Sequence, residues 1–182
     1  MFKKILVALD YSSNSTLIFA KALDLAKSMG ANLMLLHVFA DTDEGSPKAL
    51  LYPSLSYYPV MDNPFWDDYH RRWEEFESET LSWLQRLVEQ AINEGVSTEL
   101  THTRGWPSHQ IKALSETWEA DLIVMGSRGR RGFTELFLGS VSNDVMHRAG
   151  CSVLVVHDTS TEEGKVNAQD NSLYQTPSGM NT

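Results

Sequence analysis

The sequence predicts a doubly wound α/β fold, in which helices cover both faces of a five-stranded parallel sheet. Short apolar runs rich in branched residues alternate with segments whose apolar residues recur at helical spacing. The resulting order, β-α-β-α-β-α-β-α-β, is typical of a parallel sheet with crossover helices. The 182 residues are enough for one such domain with a sizeable core.

The first part of the chain contains a strand, a helix and a second strand. Residues 3–9 form an apolar run that predicts a strand buried on both faces. Ser12 and Ser13 are candidate caps for the helix that follows, and Gly30 ends that helix. Residues 32–39 predict a second buried strand, so we expect a right-handed parallel crossover between the two strands.

A segment rich in proline and tyrosine, residues 41–65, interrupts this alternation. Four of the six prolines and three of the six tyrosines of the chain lie there. Proline at this density excludes a long helix or a central strand. We expect an insertion at the carboxyl edge of the sheet, where ligands bind in such folds. It is either a lid or partner-binding segment, or a disordered connection.

The second part of the chain returns to alternating helices and strands. Residues 66–93 predict a long amphipathic helix, whose aromatic stripe indicates core packing, and Gly95 ends it. The remaining predicted elements are a strand over 98–103, a helix over 107–118, a strand over 121–125, a helix over 138–148 and a strand over 152–157. Residues 158–182 are polar and lack a periodic apolar face, which predicts a disordered tail.

Composition narrows the class of partner. The 15 Lys and Arg residues against 24 Asp and Glu residues give a formal net charge of −9, which argues against nucleic acid or an anionic membrane as the main partner. The first apolar run ends at Asp10, too early for a secretion signal, and no stretch reaches the roughly 18 apolar residues of a membrane span. We therefore expect a cytoplasmic protein. The single cysteine, Cys151, excludes an internal disulfide and is typical of a small buried hydrophobe.

A glycine-rich segment, GSRGRRGFTELFLGSVSNDV, follows the fourth predicted strand. Gly126 and Gly129 permit positive φ angles and a close approach of the backbone to a ligand. Gly139 and Ser140 open the last helix, where free N–H groups and the helix dipole favour a phosphate, and Arg128 could supply compensating charge. The glycines alone fit a plain turn of the chain equally well.

Two familiar nucleotide motifs are absent from the sequence. No Lys follows Gly139 and Ser140, so there is no P-loop, and no G-x-G-x-x-G follows the first strand, which argues against a dinucleotide dehydrogenase. Asp10 ends the first strand at the carboxyl edge of the sheet. If the strand order reverses between strands one and four, Asp10 faces the loop that begins at Gly126, and its carboxylate can accept hydrogen bonds from ribose hydroxyls. Otherwise it caps the first helix.

Five segments together resemble a known family: ILVALDYSSNS, LLHVF, DLIVMGSRGRRG, LFLGSVSNDV and SVLVVH. They resemble the universal stress protein family over nearly all of residues 2–157. The ATP-binding branch of that family carries the motif Gly-x2-Gly-x9-Gly-Ser/Thr. Gly126, Gly129, Gly139 and Ser140 match this motif without a gap, so the resemblance concerns the ligand as well as the fold.

The resemblance implies the strand order 3-2-1-4-5 and an ATP site at the ends of strands one, two and four. By motif position, the implied contacts to adenine and ribose are Ala8, Leu9, Asp10, Val38 through its backbone, Met125 and Gly126. The implied phosphate contacts are Gly129, Gly139, Ser140, Val141 and Ser142, with Arg128 nearby. The resemblance also implies a homodimer through residues 152–157, an edge strand whose apolar side chains leave it open to pairing.

Three functions stay open. In the first, the chain is a stress-response binding module whose ATP occupancy sets its conformation or its partners, which include an unknown regulatory protein. In the second, it is a slow ATPase or a self-phosphorylating enzyme. In the third, it is an adaptor whose bound nucleotide is incidental. The sequence favours binding, because no general base beside the γ-phosphate and no acidic Mg²⁺ site is evident. The six histidines lack metal-ligand spacing, and no Ser/His/Asp arrangement emerges. AMP or a cyclic nucleotide would fit much of the same pocket, and Mg²⁺ could accompany ATP.

Overall fold

A computed structural model of the chain describes residues 1–41, 43, 45–48, 64–127 and 139–157. Within these residues, five strands alternate with four helices. The strands are β1 (Lys4–Ala8), β2 (Asn32–Phe39), β3 (Thr98–Arg104), β4 (Leu122–Gly126) and β5 (Ser152–Val156). The helices are α1 (Ser15–Met29), α2 (Pro64–Asn93), α3 (Pro107–Thr117) and α4 (Ser140–Arg148). The predicted fold class and order of elements are confirmed.

The strands lie side by side in the order β3-β2-β1-β4-β5, and every pairing between them is parallel. This is the order that the resemblance implied. Strand β1 is central: Ala8, its last residue, lies opposite Leu36 of β2 and Met125 of β4. The winding of the chain reverses between β1 and β4, so the ligand crevice expected of such sheets lies at their carboxyl ends.

Two hydrophobic cores fix the helices to opposite faces of the sheet. Val7 and Leu35 belong to the core under α1 and α2, whereas Leu6 and Leu36 belong to the core under α3 and α4. Successive residues of a strand point to opposite faces. The continuous apolar runs of β1 and β2 therefore supply both cores at once, which explains why these strands show no alternation of polar and apolar residues.

Helix α2 extends beyond the sheet. Its 30 residues span about 45 Å, whereas β1 and β2 have 5 and 8 residues. The carboxyl half of α2 places Leu84 and Leu87 in the first core, and its amino half places Trp73 and Phe76 in a separate cluster. The predicted packing of the aromatic stripe is confirmed for these residues but is wrong for Trp66, which is 45% exposed.

The separate cluster is aromatic and covers the ends of β1 and β2. The ring of Phe76 meets those of Tyr11, Phe39 and Trp73 edge to face, with ring centroids 5.8 to 6.0 Å apart. This is the preferred arrangement of aromatic pairs. Tyr11 directly follows Asp10, so its packing in this cluster holds the segment after β1 against helix α2.

Several predicted boundaries shift, and one predicted role is wrong. Helix α1 begins at Ser15 with Asn14 at its N-cap, so neither Ser12 nor Ser13 caps it; the hydroxyl of Ser12 bonds to Asp10 instead. Helix α4 begins at Ser140, not at residue 138. Helix α2 begins at Pro64, inside the predicted insertion, because proline is tolerated in a first helical turn. Helix α1 ends as predicted at Gly30, whose φ is 62°.

Most of the predicted insertion over 41–65 and the whole predicted tail over 158–182 lie outside the described residues. The same holds for residues 128–138, which include most of the glycine-rich segment. The interpretations of these three segments remain predictions.

Gly126 is favoured by packing and not by its backbone angles. Its φ lies outside the left-handed region that favours glycine, so the conformational freedom that the sequence permits there is not used. A Cβ atom at this position would lie 2.6 Å from Cδ1 of Ile18. Ile18 is buried on helix α1. The missing side chain therefore lets α1 pack closely against the end of β4.

We expect Gly126→Ala to lower the free energy of unfolding by about 1 kcal/mol, the low end of the cost of overpacking, because the atom in conflict is the terminal methyl of Ile18. Ile18→Val removes the Cδ1 atom in contact and by itself costs about 1 kcal/mol. In the double variant the clash is relieved, so its loss of stability should be smaller than the sum of the two single losses. Urea unfolding of the four proteins measures this difference.

Gly150→Ala is the matched control, because nothing lies within 4 Å of an ideal Cβ at Gly150. Its effect should stay within about 0.5 kcal/mol. Strictly additive losses for Gly126→Ala and Ile18→Val would contradict the packing explanation.

Candidate functional site

The carboxyl ends of β1, β2 and β4 lie together at one edge of the sheet. The N–H of Leu9 donates to the carbonyl of Leu36 at 2.9 Å, which continues the pairing of β1 with β2 past the end of β1. The register of β1 with β4 brings the end of β4 beside the same point. Six residues implied by the resemblance are thus brought to one edge: Ala8, Leu9, Asp10, Val38, Met125 and Gly126.

The carboxylate of Asp10 is held by two serine hydroxyls. Oγ of Ser12 donates to Oδ1 of Asp10 at 2.5 Å, and Oγ of Ser15 lies 2.9 Å from the same oxygen. The Ser15 hydroxyl also lies 2.6 Å from the main-chain carbonyl of Asp10 and is fully buried at the start of α1. These contacts fix the carboxylate as a rigid hydrogen-bond acceptor at the end of β1.

Val38 offers backbone groups and not its side chain. The side chains of Val38 and Met125 are buried in the second core. The carbonyl of Leu36 points toward β1, since it accepts the N–H of Leu9. Backbone groups two residues apart in a strand point the same way. The N–H and C=O of Val38 therefore point into the space past the end of β1.

The start of α4 presents backbone donors at the same edge, because the helix runs back from the carboxyl ends of the strands. Gly139 is its N-cap, and no side chain caps the described first turn or adds a negative charge to it. The first N–H groups of a helix lack intrahelical partners and lie at the positive end of its dipole. This end of α4 therefore suits an anion.

The two serines of this turn differ. Ser140 is exposed. Ser142 is buried, and its hydroxyl donates back to the carbonyl of Gly139 at 3.0 Å. Of the two hydroxyls, only that of Ser140 faces outward, while Val141 and Ser142 offer their backbone N–H groups. Arg128 and Gly129, the other predicted phosphate contacts, lie outside the described residues.

A serine and a histidine that are far apart in sequence meet beside this site. Oγ of Ser127 lies 2.7 Å from Nδ1 of His157. Gly126 pairs with Val156 across β4 and β5, so the residues that follow each strand are neighbours. This pair is not evident from the sequence alone, although the strand order and this register together predict it.

His37 is buried and links the ends of β1 and β2. Its Nδ1 lies 2.9 Å from the carbonyl of Leu9, which can only accept, so Nδ1 carries the proton. Its Nε2 has no hydrogen-bond partner among the described residues and lies 3.7 Å from Oδ2 of Asp43. Burial lowers the pKa of His37, although the bond to Leu9 and the charges of Asp43 and Asp10 act in the opposite direction. The ring is therefore neutral at pH 7.

Cys151 does not have the surroundings of a reactive thiol. It packs against the second core, and burial together with the negative charge of Asp121 raises the pKa of its thiol. Within the described part of the chain, no three His, Cys, Asp or Glu side chains are arranged to hold a metal ion. No described helix combines the length and apolar character that crossing a bilayer requires.

Protonation of His37 is expected to destabilise the fold. Because folding lowers its pKa, the unfolded chain binds this proton more tightly. The stability contributed by the neutral ring is complete above the unfolded pKa of about 6.5 and is lost as the pH falls through that value toward the folded pKa. Between pH 7.5 and 5, the free energy of unfolding in urea should fall by at most about 1.4 kcal/mol per pH unit from this group.

His37→Asn tests the assignment, because the amide can still donate to the carbonyl of Leu9 but does not titrate. This variant should show a flatter pH dependence than the parent chain. His70→Asn, a change at an exposed position on α2, should keep the slope of the parent. An undiminished slope in His37→Asn would rule His37 out as its source.

Comparison with known sequences gives a consistent result. The sequence pattern of the universal stress protein family matches residues 1–157. Universal stress protein Sll1388 of Synechocystis is 37% identical over 155 residues, which cover 85% of this chain and 97% of that protein. Universal stress protein YxiE of Bacillus subtilis is 35% identical over 156 residues, which cover 86% of this chain and 99% of that protein.

Solved structures share the architecture. Protein MJ0577 is 21% identical with a TM-score of 0.65, covering 87% of this chain and 98% of its own. A universal stress protein in complex with cAMP is 19% identical with a TM-score of 0.55, and the match covers 86% of this chain and 97% of that protein. The universal stress protein from Archaeoglobus fulgidus in complex with dAMP is 21% identical with a TM-score of 0.53, and the match covers 84% of this chain and 96% of that protein. At these identities the likeness shows the fold.

Proposed function

The chain belongs to the universal stress protein family, and from this premise we propose that it binds an adenine nucleotide, ATP in particular, between the carboxyl ends of β1 and β4. The observation that carries the proposal is that three complementary groups share this edge. They are the fixed carboxylate of Asp10, the outward backbone groups of Val38 and the start of α4, which no side chain of the described residues caps. Two relatives of known structure were solved with cAMP and with dAMP, which supports the adenine class.

The backbone of Val38 suits the base. An adenine edge presents an amino donor beside a ring-nitrogen acceptor. The C=O and N–H of Val38 supply the matching acceptor and donor, and both point past the end of β1. The apolar residues Ala8 and Leu9 border the same space. Backbone recognition of this kind needs no polar side chain, so the buried side chain of Val38 is no obstacle.

Asp10 suits the ribose. Its carboxylate accepts hydrogen bonds from hydroxyl groups. Because its contacts with Ser12 and Ser15 already fix its position, the side chain loses little conformational entropy when a nucleotide binds. A hydrogen bond from a hydroxyl to a charged group is worth about 1.5 to 3 kcal/mol. Met125 and Gly126, at the end of the neighbouring strand β4, would flank the sugar.

The start of α4 suits the phosphates. Gly139, Ser140, Val141 and Ser142 bring backbone N–H groups, and Ser140 adds an exposed hydroxyl. Gly129 and Arg128 complete the proposed phosphate contacts. Because the described first turn carries no acidic side chain, Mg²⁺ would enter with the nucleotide, held by phosphate oxygens and water.

We assign the chain a regulatory role, in which ATP occupancy sets its conformation or its partners during stress. Binding comes before turnover in this assignment because Asp10, Val38 and the start of α4 each suit the positioning of a ligand. A cytoplasmic location, a regulatory protein partner and a role of residues 41–65 as an adaptor surface remain predictions.

The ribose assignment predicts a selective loss. Asp10→Ala should weaken ATP binding about tenfold or more, because a charged hydrogen-bond acceptor is lost, and should leave the binding of inorganic triphosphate unchanged. Gly139→Val should weaken the binding of both ligands, because the valine side chain would crowd the backbone N–H groups that donate to the phosphates. Isothermal titration calorimetry of the two variants with both ligands measures the pattern.

Acid extraction of the purified parent chain, followed by identification of the released small molecules, tests the ligand class itself. Recovery of no adenine nucleotide, together with no calorimetric binding of added ATP, would overturn the proposal. Equal losses of ATP and triphosphate in Asp10→Ala would overturn only the ribose assignment.

We propose in addition that the chain forms a homodimer through β5. This strand lies at the edge of the sheet, carries no charge or proline, and exposes 37% of Leu154. Met146 of α4 is 39% exposed as well. An edge strand without charge or proline is open to pairing with a second copy.

Sedimentation velocity is expected to show a dimer for the parent chain and a monomer for Leu154→Lys, because the added charge opposes burial of this edge. Glu99→Lys is the matched control, since it places the same residue on the opposite edge strand β3. A monomeric parent chain, or a dimer that survives Leu154→Lys unchanged, would count against β5 as the interface.

A further inference from the structure

The hydrogen-bond ladder between β1 and β2 is interrupted just past the end of β1. Ala8 lies opposite Leu36, and the N–H of Leu9 donates to the carbonyl of Leu36 at 2.9 Å. In a regular parallel ladder, the next bond would run from the N–H of Val38 to the carbonyl of Leu9. Among the described residues, no backbone hydrogen bond joins these two groups. The pairing of the two strands thus stops one bond short of Val38.

A side chain takes the place of the missing backbone donor. The Nδ1–H of His37 donates to the carbonyl of Leu9, with 2.9 Å between nitrogen and oxygen. His37 is fully buried, and its ring meets that of Phe39 edge to face, with centroids 4.4 Å apart. Because Phe39 belongs to the aromatic cluster at the amino half of α2, packing holds the imidazole in this place.

This exchange of donors decides what the backbone of Val38 can offer. Leu9 is buried, and a buried carbonyl needs a hydrogen-bond donor, which the imidazole supplies. The N–H of Val38 points past the end of β1 and is left for another acceptor. Without the histidine, the carbonyl of Leu9 would turn to the N–H of Val38 and extend the ladder by one bond.

From these contacts we propose that His37 sets the base specificity of the nucleotide site. It is a positioning residue, which holds the carbonyl of Leu9 and so keeps the N–H of Val38 available to a ring nitrogen of adenine. The inference rests on the proposed function, in which the adenine edge lies against the backbone of Val38. It adds the reason that this N–H is open to the base, namely a histidine on the opposite face of the sheet from the Val38 side chain.

The two backbone groups of Val38 separate adenine from guanine. Adenine presents an amino donor beside a ring-nitrogen acceptor, whereas guanine presents a carbonyl oxygen in place of the amino group. The carbonyl of Val38 therefore accepts from adenine and opposes guanine. The N–H of Val38 adds the second bond to adenine. Loss of that donor leaves the ring nitrogen of a bound base unpaired, which lowers affinity about tenfold without involving the phosphates.

Calorimetry with ATP, GTP and inorganic triphosphate tests the proposal on three variants. His37→Leu removes the donor, so ATP should bind about tenfold more weakly, triphosphate should bind as in the parent, and the preference for ATP over GTP should fall. His37→Asn places an amide N–H at the position of Nδ1 and should retain the parent preference. His102→Leu is the matched control, because this exposed histidine lies opposite His37 on β3, and it should bind all three ligands as the parent does.

The amide of Val38 gives a second readout that needs no variant. In the parent chain without nucleotide, hydrogen exchange followed by NMR should be faster at Val38 than at Leu36, which lies within the ladder between β1 and β2. Addition of ATP should slow the exchange at Val38. In His37→Leu this amide should exchange slowly before ATP is added, because it then donates to the carbonyl of Leu9.

The outcomes separate this inference from the proposed function. A parent chain that binds ATP without a change in exchange at Val38, or a His37→Leu variant with the parent preference for ATP, overturns this inference and leaves the proposed function standing. Loss of the preference in His37→Asn as well as in His37→Leu overturns the role of the Nδ1–H donor. A parent chain that binds no ATP overturns the proposed function and this inference together. The exchange measurement on the parent decides the question even if His37→Leu does not fold.

Discussion

The parallel pairing of β1 with both β2 and β4 is the constraint on which the rest of the site depends. It reverses the winding of the chain at the centre of the sheet, so that no helix or loop need cross the carboxyl ends of β1 and β4. It also ends β1 opposite Leu36, which leaves the backbone of Val38 pointing past the strand. A strand order without this reversal would separate Asp10 from the end of β4.

The elements that create the crevice could be predicted from the sequence because they follow from short-range patterns. Buried strands appear as apolar runs, and Gly30 marks a helix end that needs a left-handed φ. The strand order came from the family resemblance, because neither periodicity nor composition fixes which parallel strands are neighbours. The same resemblance indicated which residues lie at the three strand ends. It did not indicate the side-chain contacts of those residues.

Side-chain partners at the site could not be predicted, because they depend on register and on competition between acceptors. Ser12 follows a strand and precedes a helix, which is typical of a cap, yet its hydroxyl bonds to the carboxylate of Asp10. Ser142 resembles a phosphate donor, yet its hydroxyl bonds to the carbonyl of Gly139. Ser127 and His157 are neighbours only once β4 and β5 are placed in register.

The packing of Ile18 against position 126 places one helix beside both sides of the crevice. Ser15, which holds Asp10, and Ile18, which rests on Gly126, are three residues apart and so lie on one face of the first turns of α1. The first turns of α1 therefore contact both sides of the crevice, so the position of this one helix bears on Asp10 and on the end of β4 together.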